Sequence, residues 1–233
     1  MWQRETYPEA ELLAQIAKKI ETPCASIWIA HTGVLEEVAG LSPLLDSREI
    51  SRSLSFARSA RRKQFLLGRI LLKLAIADLL EFPPQQIDIS ERGVLVPRIP
   101  SRYHLPGLCL SHSGERVACT VSRDTVLGLD IETRDDTRDI SGISRLAFHA
   151  EERTYVETRT GRDRISAFYA VWTRKEALYK LAFSQGGEKQ ARISWEQNSL
   201  NAETSYDCFH LENCRENWSI AVCALPGEKS LPV

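Results

Sequence analysis

With 233 residues, the chain has room for one large domain or two of roughly 100 residues each. A hydrophobic content of 43%, a charged content of 26% and a net charge of -1 are ordinary for a soluble globular protein, and they exclude a chain-wide electrostatic pull toward nucleic acid or a membrane surface. No apolar run approaches a membrane span, and the opening residues from Met1 to Glu9 lack the apolar core of a signal peptide, so a cytoplasmic protein is expected.

Residues 8–20 alternate Leu, Ile and Ala with Glu and Lys at helical spacing and predict a short amphipathic helix. Residues 24–29 are β-rich and run into a His31-Thr32-Gly33 turn, and residues 40–54 are polar and turn-rich, a loop or broken helix. A long helix is predicted over residues 56–80, stopped by Phe82-Pro83-Pro84, with Phe65, Leu66, Ile70, Leu74 and Ala77 on its buried face. Its first turns carry Arg58, Arg61, Arg62 and Lys63, with Arg69 two turns on. From residue 86 to 132 the pattern changes to short strands, at 87–89, 94–96, 108–110, 117–121 and 126–131, with a turn at 122–125. Residues 133–139 read as a loop. Helices follow near 143–148 and 150–158, then a long one containing residues 168–183, closed by Gly186-Gly187. Strands at 191–195, 206–211 and 218–223 finish the chain.

The order of helix and strand, long helix and strands, then long helix and strands again predicts an α+β fold of two similar halves, residues 1–124 and 125–233. No residue-level repeat links them, so the duplication is one of element order. The six cysteines, at 24, 109, 119, 208, 214 and 223, form no Cys-x-x-Cys pair. They read as reduced, buried thiols rather than a disulfide frame or a zinc site.

The chemistry-bearing residues fall in three places. Asp130 and Glu132 are two apart in a predicted strand, so both carboxylates leave one face while Leu129 and Ile131 leave the other. Adjacent carboxylates repel each other, and a hard cation such as Mg²⁺ offsets that; a strand end entering a solvated loop gives the same pattern without a metal. On the helix containing residues 168–183, Phe168, Val171, Trp172, Leu178, Leu181 and Ala182 form the apolar stripe. Arg174, Lys175, Glu176 and Lys180 are charged; Glu176 and Lys180 also make the favourable helix pair of a Glu followed four residues later by a Lys. Finally, Leu108-Cys109-Leu110-Ser111-His112-Ser113-Gly114 is a strand entering a small-residue turn. It could be an ordinary hairpin, or a turn whose Ser and His side chains donate to phosphate while Gly114 lets the backbone approach it. No Gly-x-Ser-x-Gly elbow surrounds Ser111 or Ser113 to suggest a serine hydrolase.

Together and in this order, four stretches resemble the 4'-phosphopantetheinyl transferase superfamily, of the kind that activates surfactin synthetase, with its acyl-carrier-protein and enterobactin branches. They are Ala60-Arg61-Arg62-Lys63-Gln64-Phe65-Leu66-Leu67-Gly68-Arg69-Ile70-Leu71-Leu72-Lys73, Leu110-Ser111-His112-Ser113-Gly114, Gly128-Leu129-Asp130-Ile131-Glu132 and Trp172-Thr173-Arg174-Lys175-Glu176-Ala177-Leu178-Tyr179-Lys180. The resemblance implies a holo-carrier-protein synthase, which transfers the phosphopantetheine arm of coenzyme A to a serine of an apo acyl or peptidyl carrier protein and releases 3',5'-adenosine bisphosphate. It implies a pseudo-dimer of two α+β halves with the site in the cleft between them, and a monomer with neither nucleic acid nor membrane as partner.

Carried over residue by residue, the resemblance makes Asp130, Glu132 and Glu176 the Mg²⁺ ligands, with Glu176 also the base for the carrier serine. Lys175 and Lys180 would hold the pyrophosphate. Ser111 and His112 would contact a coenzyme A phosphate, and Arg61 and Arg62 the 3'-phosphate, with Lys63 and Arg69 beside them. Two departures stand out: many family members have Gly-Lys-Pro where this chain reads Gly93-Val94-Leu95-Val96-Pro97, and Asn where it has Cys109. The first removes a lysine, so residues 93–97 are given no role. The carrier would meet a basic and apolar rim, for which Arg153, Arg159, Arg162 and Arg164 are available.

Two other classes would fit parts of the pattern. A Mg²⁺-dependent nuclease could use Asp130 with a Glu-Lys pair, but Glu176 and Lys180 are spaced for a helix and the near-neutral charge gives no nucleic-acid footprint. A non-catalytic module that only binds coenzyme A or a carrier would have no need of three carboxylates and two lysines.

Overall fold

Leu and Ile recur on every side of residues 65–80, so that segment must be covered all round, and the first half of the chain does this. The computed structural model describes residues 8–38, 41–91, 95–184 and 207–225; the strand expected at 191–195 and Gly186-Gly187 lie outside them. The chain divides into two units, Met1–Arg123 and Asp124–Val233. Each joins one long helix to antiparallel strands, so the protein is of mixed helix and sheet.

In the first unit, α1 (Pro8–Ile16) leads into a hairpin of β1 (Ala17–Glu21) and β2 (Ser26–His31). The helix expected through residue 20 therefore ends four residues early. Lys18 to Glu21 extend against β2 in the register Ile20↔Ile27, and Thr22 Oγ1 accepts from the Cys24 and Ala25 N–H groups to fold the turn. Cross-strand pairing overrides local helix preference here. A four-residue helix α2 (Val34–Glu37) and a short 3₁₀ turn follow. Next comes α3 (Ser47–Leu54), where Asp46 and Glu49 form a reciprocal capping box. The polar stretch 40–54 thus holds a true helix, started by that box.

Helix α4 (Ser59–Leu80) is the centre of this unit, with Leu67, Ile70, Leu71, Leu72, Leu74, Ala75 and Ile76 fully buried. It stops at Glu81, which takes the left-handed conformation at φ 50°, ahead of the two prolines. Strands β3 (Asp88–Glu91) and β4 (Leu95–Arg98) form a separate hairpin. Strands β5 (Gly107–Ser113) and β6 (Arg116–Ser122) complete a sheet of order β1-β2-β6-β5, antiparallel throughout. Helix α4 packs on this sheet so closely that a Cβ at Gly68 would lie 2.9 Å from the Leu110 side chain.

A buried ion pair secures α3 to α4. Lys73, 2% exposed, donates to Glu49 Oε2 at 2.6 Å and to the Leu44 carbonyl at 2.9 Å, while the same Glu49 oxygen accepts from the Asp46 N–H.

The second unit begins with β7 (Leu127–Thr133), then α5 (Ile140–Ala147), α6 (Ala150–Glu157), the long α7 (Gly161–Ser184), β8 (Asp207–Asn213) and β9 (Trp218–Ala224). Its sheet runs β7-β9-β8, antiparallel, with Asp130 opposite Ala221 and Ala221 opposite His210. Helix α7 lies across the face that carries Gly128: Ala177, Leu178 and Leu181 pack with Ala221 and Cys223.

One expectation about cysteine is corrected. Cys208 and Cys223 are joined by a disulfide, with Cα atoms 4.1 Å apart. They are opposed residues of β8 and β9, and that pairing across a hairpin brings their Cβ atoms within bonding reach. A separation of 15 residues gave no motif to signal it. The free cysteines are Cys24, Cys109, Cys119 and Cys214; Cys214 is exposed and Cys24 partly so, so not all are the buried thiols expected.

Candidate active site

The strand β7 and the helix α7 place the acidic residues. Asp130 and Glu132 leave the same face of β7 as Gly128, the face that α7 covers. Gly128 is there because no side chain fits: a Cβ would stand 1.9 Å from the Ala177 carbonyl oxygen and 2.8 Å from the Leu181 nitrogen. This contact sets the depth at which α7 rests.

Two polar contacts fix α7 along the strand. Lys180 donates to Asp130 Oδ1 at 2.8 Å and to the Leu129 carbonyl at 3.1 Å. Two helical turns earlier, the Trp172 indole N–H donates to Glu132 Oε1 at 3.0 Å. Trp172, Glu176 and Lys180 are spaced by four and share one stripe of the helix. Glu176 therefore sits between the two contacts, over the stretch of β7 from Asp130 to Glu132.

Burial makes these contacts matter. Asp130 is 5% exposed, and a carboxylate there requires a compensating charge, which the Lys180 ammonium provides. The other Glu132 oxygen lies 3.8 Å from Arg138, whose guanidinium is 5.5 Å from the centre of the Tyr169 ring. Trp172 is held by stacking on Phe168 and by contact with Phe148. Among the described residues, no group of three His, Cys, Asp or Glu side chains stands ready as a metal site. The carboxylates expected to share a metal are thus carried by packed elements, but they do not form a closed cluster.

Lys175 goes elsewhere than expected. Its ammonium lies 2.8 and 3.1 Å from the two oxygens of Glu152 on α6, not on the side of Asp130 and Glu132. His210, on the same sheet row as Asp130, bonds Ser219 Oγ at 2.7 Å. Burial, with Arg174 and Arg134 nearby, pushes its pKa down to about 4, so it is neutral in the folded protein at ordinary pH.

In the first unit, α4 and the β5–β6 turn bring Arg61 and His112 together: the guanidinium donates to His112 Nε2 at 2.7 Å. Gln64, one turn on, donates to the Gly114 carbonyl, and Gly114 turns the chain at φ 56°. Ser111 is buried and His112 half-buried. Arg62 points away from this pair and donates to the Ser53 carbonyl, and Lys63 pairs with Glu36.

A pocket lies further along α4, at Arg69. It has a volume of about 180 Å³ and is lined by the arginines Arg48, Arg52 and Arg69, the acids Asp46, Glu49 and Asp88, and Phe65, Ile89 and Ser90, so its charges are mixed. Arg48 bridges Asp46 and Asp88, while Arg52 and Arg69 lie 5.8 and 4.9 Å from the Phe65 ring centre.

The second unit thus sets paired carboxylates under a helix that carries Glu176 and Lys180, and the first sets a guanidinium against an imidazole. Comparison with known proteins gives the family. The pattern of the 4'-phosphopantetheinyl transferase superfamily matches residues 126–223. The chain is 30% identical over 171 residues to the 4'-phosphopantetheinyl transferase AcpT of Salmonella typhimurium, which covers 71% of this chain and 78% of that protein. It is 28% identical over 166 residues to AcpT of Escherichia coli, covering 70% and 75%. Against slr0495 of Synechocystis it is 26% identical over 159 residues, covering 68% of this chain and 64% of that protein, just under two thirds of its length. The chain belongs to the 4'-phosphopantetheinyl transferase superfamily, enzymes that move the phosphopantetheine arm of coenzyme A onto carrier proteins.

Proposed function

We propose that this chain is a holo-carrier-protein synthase. It attaches phosphopantetheine from coenzyme A to a serine of an apo acyl or peptidyl carrier protein and releases 3',5'-adenosine bisphosphate. The observation that carries the reading is the seating of α7 on β7 through the Lys180–Asp130 and Trp172–Glu132 contacts, with Glu176 between them in the helix spacing.

In this reading Glu176 takes the proton of the carrier serine. The serine oxygen bonds to the phosphorus that bears the pantetheine. The bond from that phosphorus to the bridging oxygen breaks, and adenosine bisphosphate leaves with the electron pair. Lys180 lies beside the phosphates and stabilises charge on the leaving group. The donor set fits a hard cation: Asp130 and Glu132 on one strand face and Glu176 on the helix above offer only carboxylate oxygens. A bound Mg²⁺ would neutralise the pyrophosphate and the charge developing on its oxygens. Trp172 and Arg138 orient Glu132 for that task.

The adenosine bisphosphate end is assigned to the first unit. The Arg61–His112 pair presents a charged donor suited to phosphate, and Arg69 lies two turns further along the same helix. Arg62 stays part of the same assignment through its Nη groups, its Nε donating to the Ser53 carbonyl. The pseudo-dimer plan of two halves with the cofactor cleft, a monomeric state and a cytoplasmic location remain parts of the proposal. Among the described residues no helix is long and apolar enough to cross a membrane.

The test is a mass-shift assay with Mg²⁺, coenzyme A and a panel of apo carrier proteins. A gain of about 340 Da on at least one carrier is expected, the mass of the transferred arm. Glu176→Gln, folded, should lose several kcal/mol of transition-state stabilisation, because the base and a carboxylate donor go together. Carriers that all stay unmodified while coenzyme A still binds would replace this reading with a binding module.

A further inference from the structure

Glu152 is a carboxylate with no exposed surface. It survives there because two donor groups make three hydrogen bonds to it: the His149 N–H at 2.8 Å on Oε2, closing the first turn of α6, and the Lys175 ammonium on both oxygens. The same ammonium lies 5.9 Å from the centre of the Phe148 ring. Its charge is thus directed into the α6 side of α7, while its neighbour Glu176 belongs to the stripe that faces β7.

We propose that Lys175 is a positioning residue: through Glu152 it sets the rotation of α7 about its own axis, and so the place at which Glu176 stands over Asp130 and Glu132. This rests on the assignment of Glu176 made above, and it differs from a direct role for Lys175 on the pyrophosphate. Helix side chains lie about 5–6 Å from the helix axis, so a rotation of about 10° moves the end of Glu176 by about 1 Å. A misplacement of that size costs about a hundredfold in rate when it falls on a reacting group. The Lys180 and Trp172 contacts lie along the β7 stripe and resist sliding. The Glu152 contact pulls on the flank, where it resists turning.

The geometry makes a prediction that a phosphate contact does not. Removing one partner of a buried pair strands the other charge, whereas replacing both with uncharged groups of similar size largely restores packing. Lys175→Met and Glu152→Gln should each lower kcat about tenfold or more and lower the melting temperature by several degrees. Both should leave the calorimetric Kd for coenzyme A within about twofold. The double variant should melt higher and turn over faster than either single one. The proposal is overturned if Lys175→Met weakens coenzyme A about tenfold while Glu152→Gln does not, or if the double variant is no better than Lys175→Met. Should a single variant fail to fold, the double variant decides: recovered folding supports the clamp, and equal failure overturns it. A wild-type protein that modifies no apo carrier would instead sink the proposed reaction, and the melting temperatures would still report on the pair.

Discussion

Replacing Gly128 by Ala tests how strictly the seat of α7 on β7 is set. The new methyl would stand 1.9 Å from the Ala177 carbonyl oxygen, against the 3.0 Å that Cβ contacts respect. The obstacle is helix backbone, so no side chain can swing aside, and α7 must lift by about 1.1 Å or tilt. Overpacking of this kind costs about 1–3 kcal/mol. The rate should suffer more, because Leu181, the other residue struck, adjoins Lys180, and a shift near 1 Å at the site costs about a hundredfold. Urea unfolding measures the first effect and the mass-shift assay with a responsive apo carrier the second. A Gly128→Ala protein within about 0.5 kcal/mol of wild type and with full turnover would refute the claim that this contact sets the helix depth.

Trp172→Phe keeps the stacking on Phe168 and Phe148 but deletes the donor to Glu132. It should melt like wild type and lose about tenfold or more in kcat, and unchanged kinetics would rule out the orienting role. Lys73→Met strands the buried Glu49 carboxylate and should cost about 3–5 kcal/mol in urea unfolding; a loss below about 1 kcal/mol would mean that the pair is not what secures α3. His210 has its pKa lowered from 6.5 to about 4, first by burial and then by Arg174 and Arg134. The unfolded chain takes up the proton first, so stability is lost as pH falls from about 6.5 toward about 4, by up to about 3 kcal/mol. His210→Gln should flatten that part of the unfolding curve, and an unaltered pH dependence would place the acid sensitivity elsewhere.

The period of two in Gly128-Leu129-Asp130-Ile131-Glu132 and the spacing of four in Trp172, Glu176 and Lys180 made the acidic side of the site legible, because strand and helix geometry alone decide which residues share a face. Which faces meet was not legible from those periods. The close approach of Gly128 to Ala177 and Leu181 and the Lys180–Asp130 and Trp172–Glu132 bonds show that they do. Lys175 was assigned to phosphate because its charge was visible and its partner was not: Glu152 lies 23 residues away on a different helix. The bond between Cys208 and Cys223 and the change from helix to strand at Ala17 had the same cause. Each depends on a partner strand that local sequence does not name. Long, strongly apolar segments such as α4 were read nearly to their ends, where Glu81 and the following prolines leave little freedom.

The sheet of the first unit has a consequence for how the protein is made. Strand β2 pairs with β6 in the register Ile27↔Thr120, so the sheet cannot close until nearly all of the first unit has left the ribosome. Helix α4, whose residues 67–77 are all buried in the finished fold, is complete some forty residues before β6, the strand it packs on most, has been synthesised. Through that interval it can be shielded by α1, the β1–β2 hairpin, α3 or a chaperone. Slow closure of such a long-range pairing, with an oily helix waiting for it, makes this step the point of greatest exposure to aggregation. Lowering the temperature or slowing translation should raise the soluble yield more than any change to the surface of the second unit.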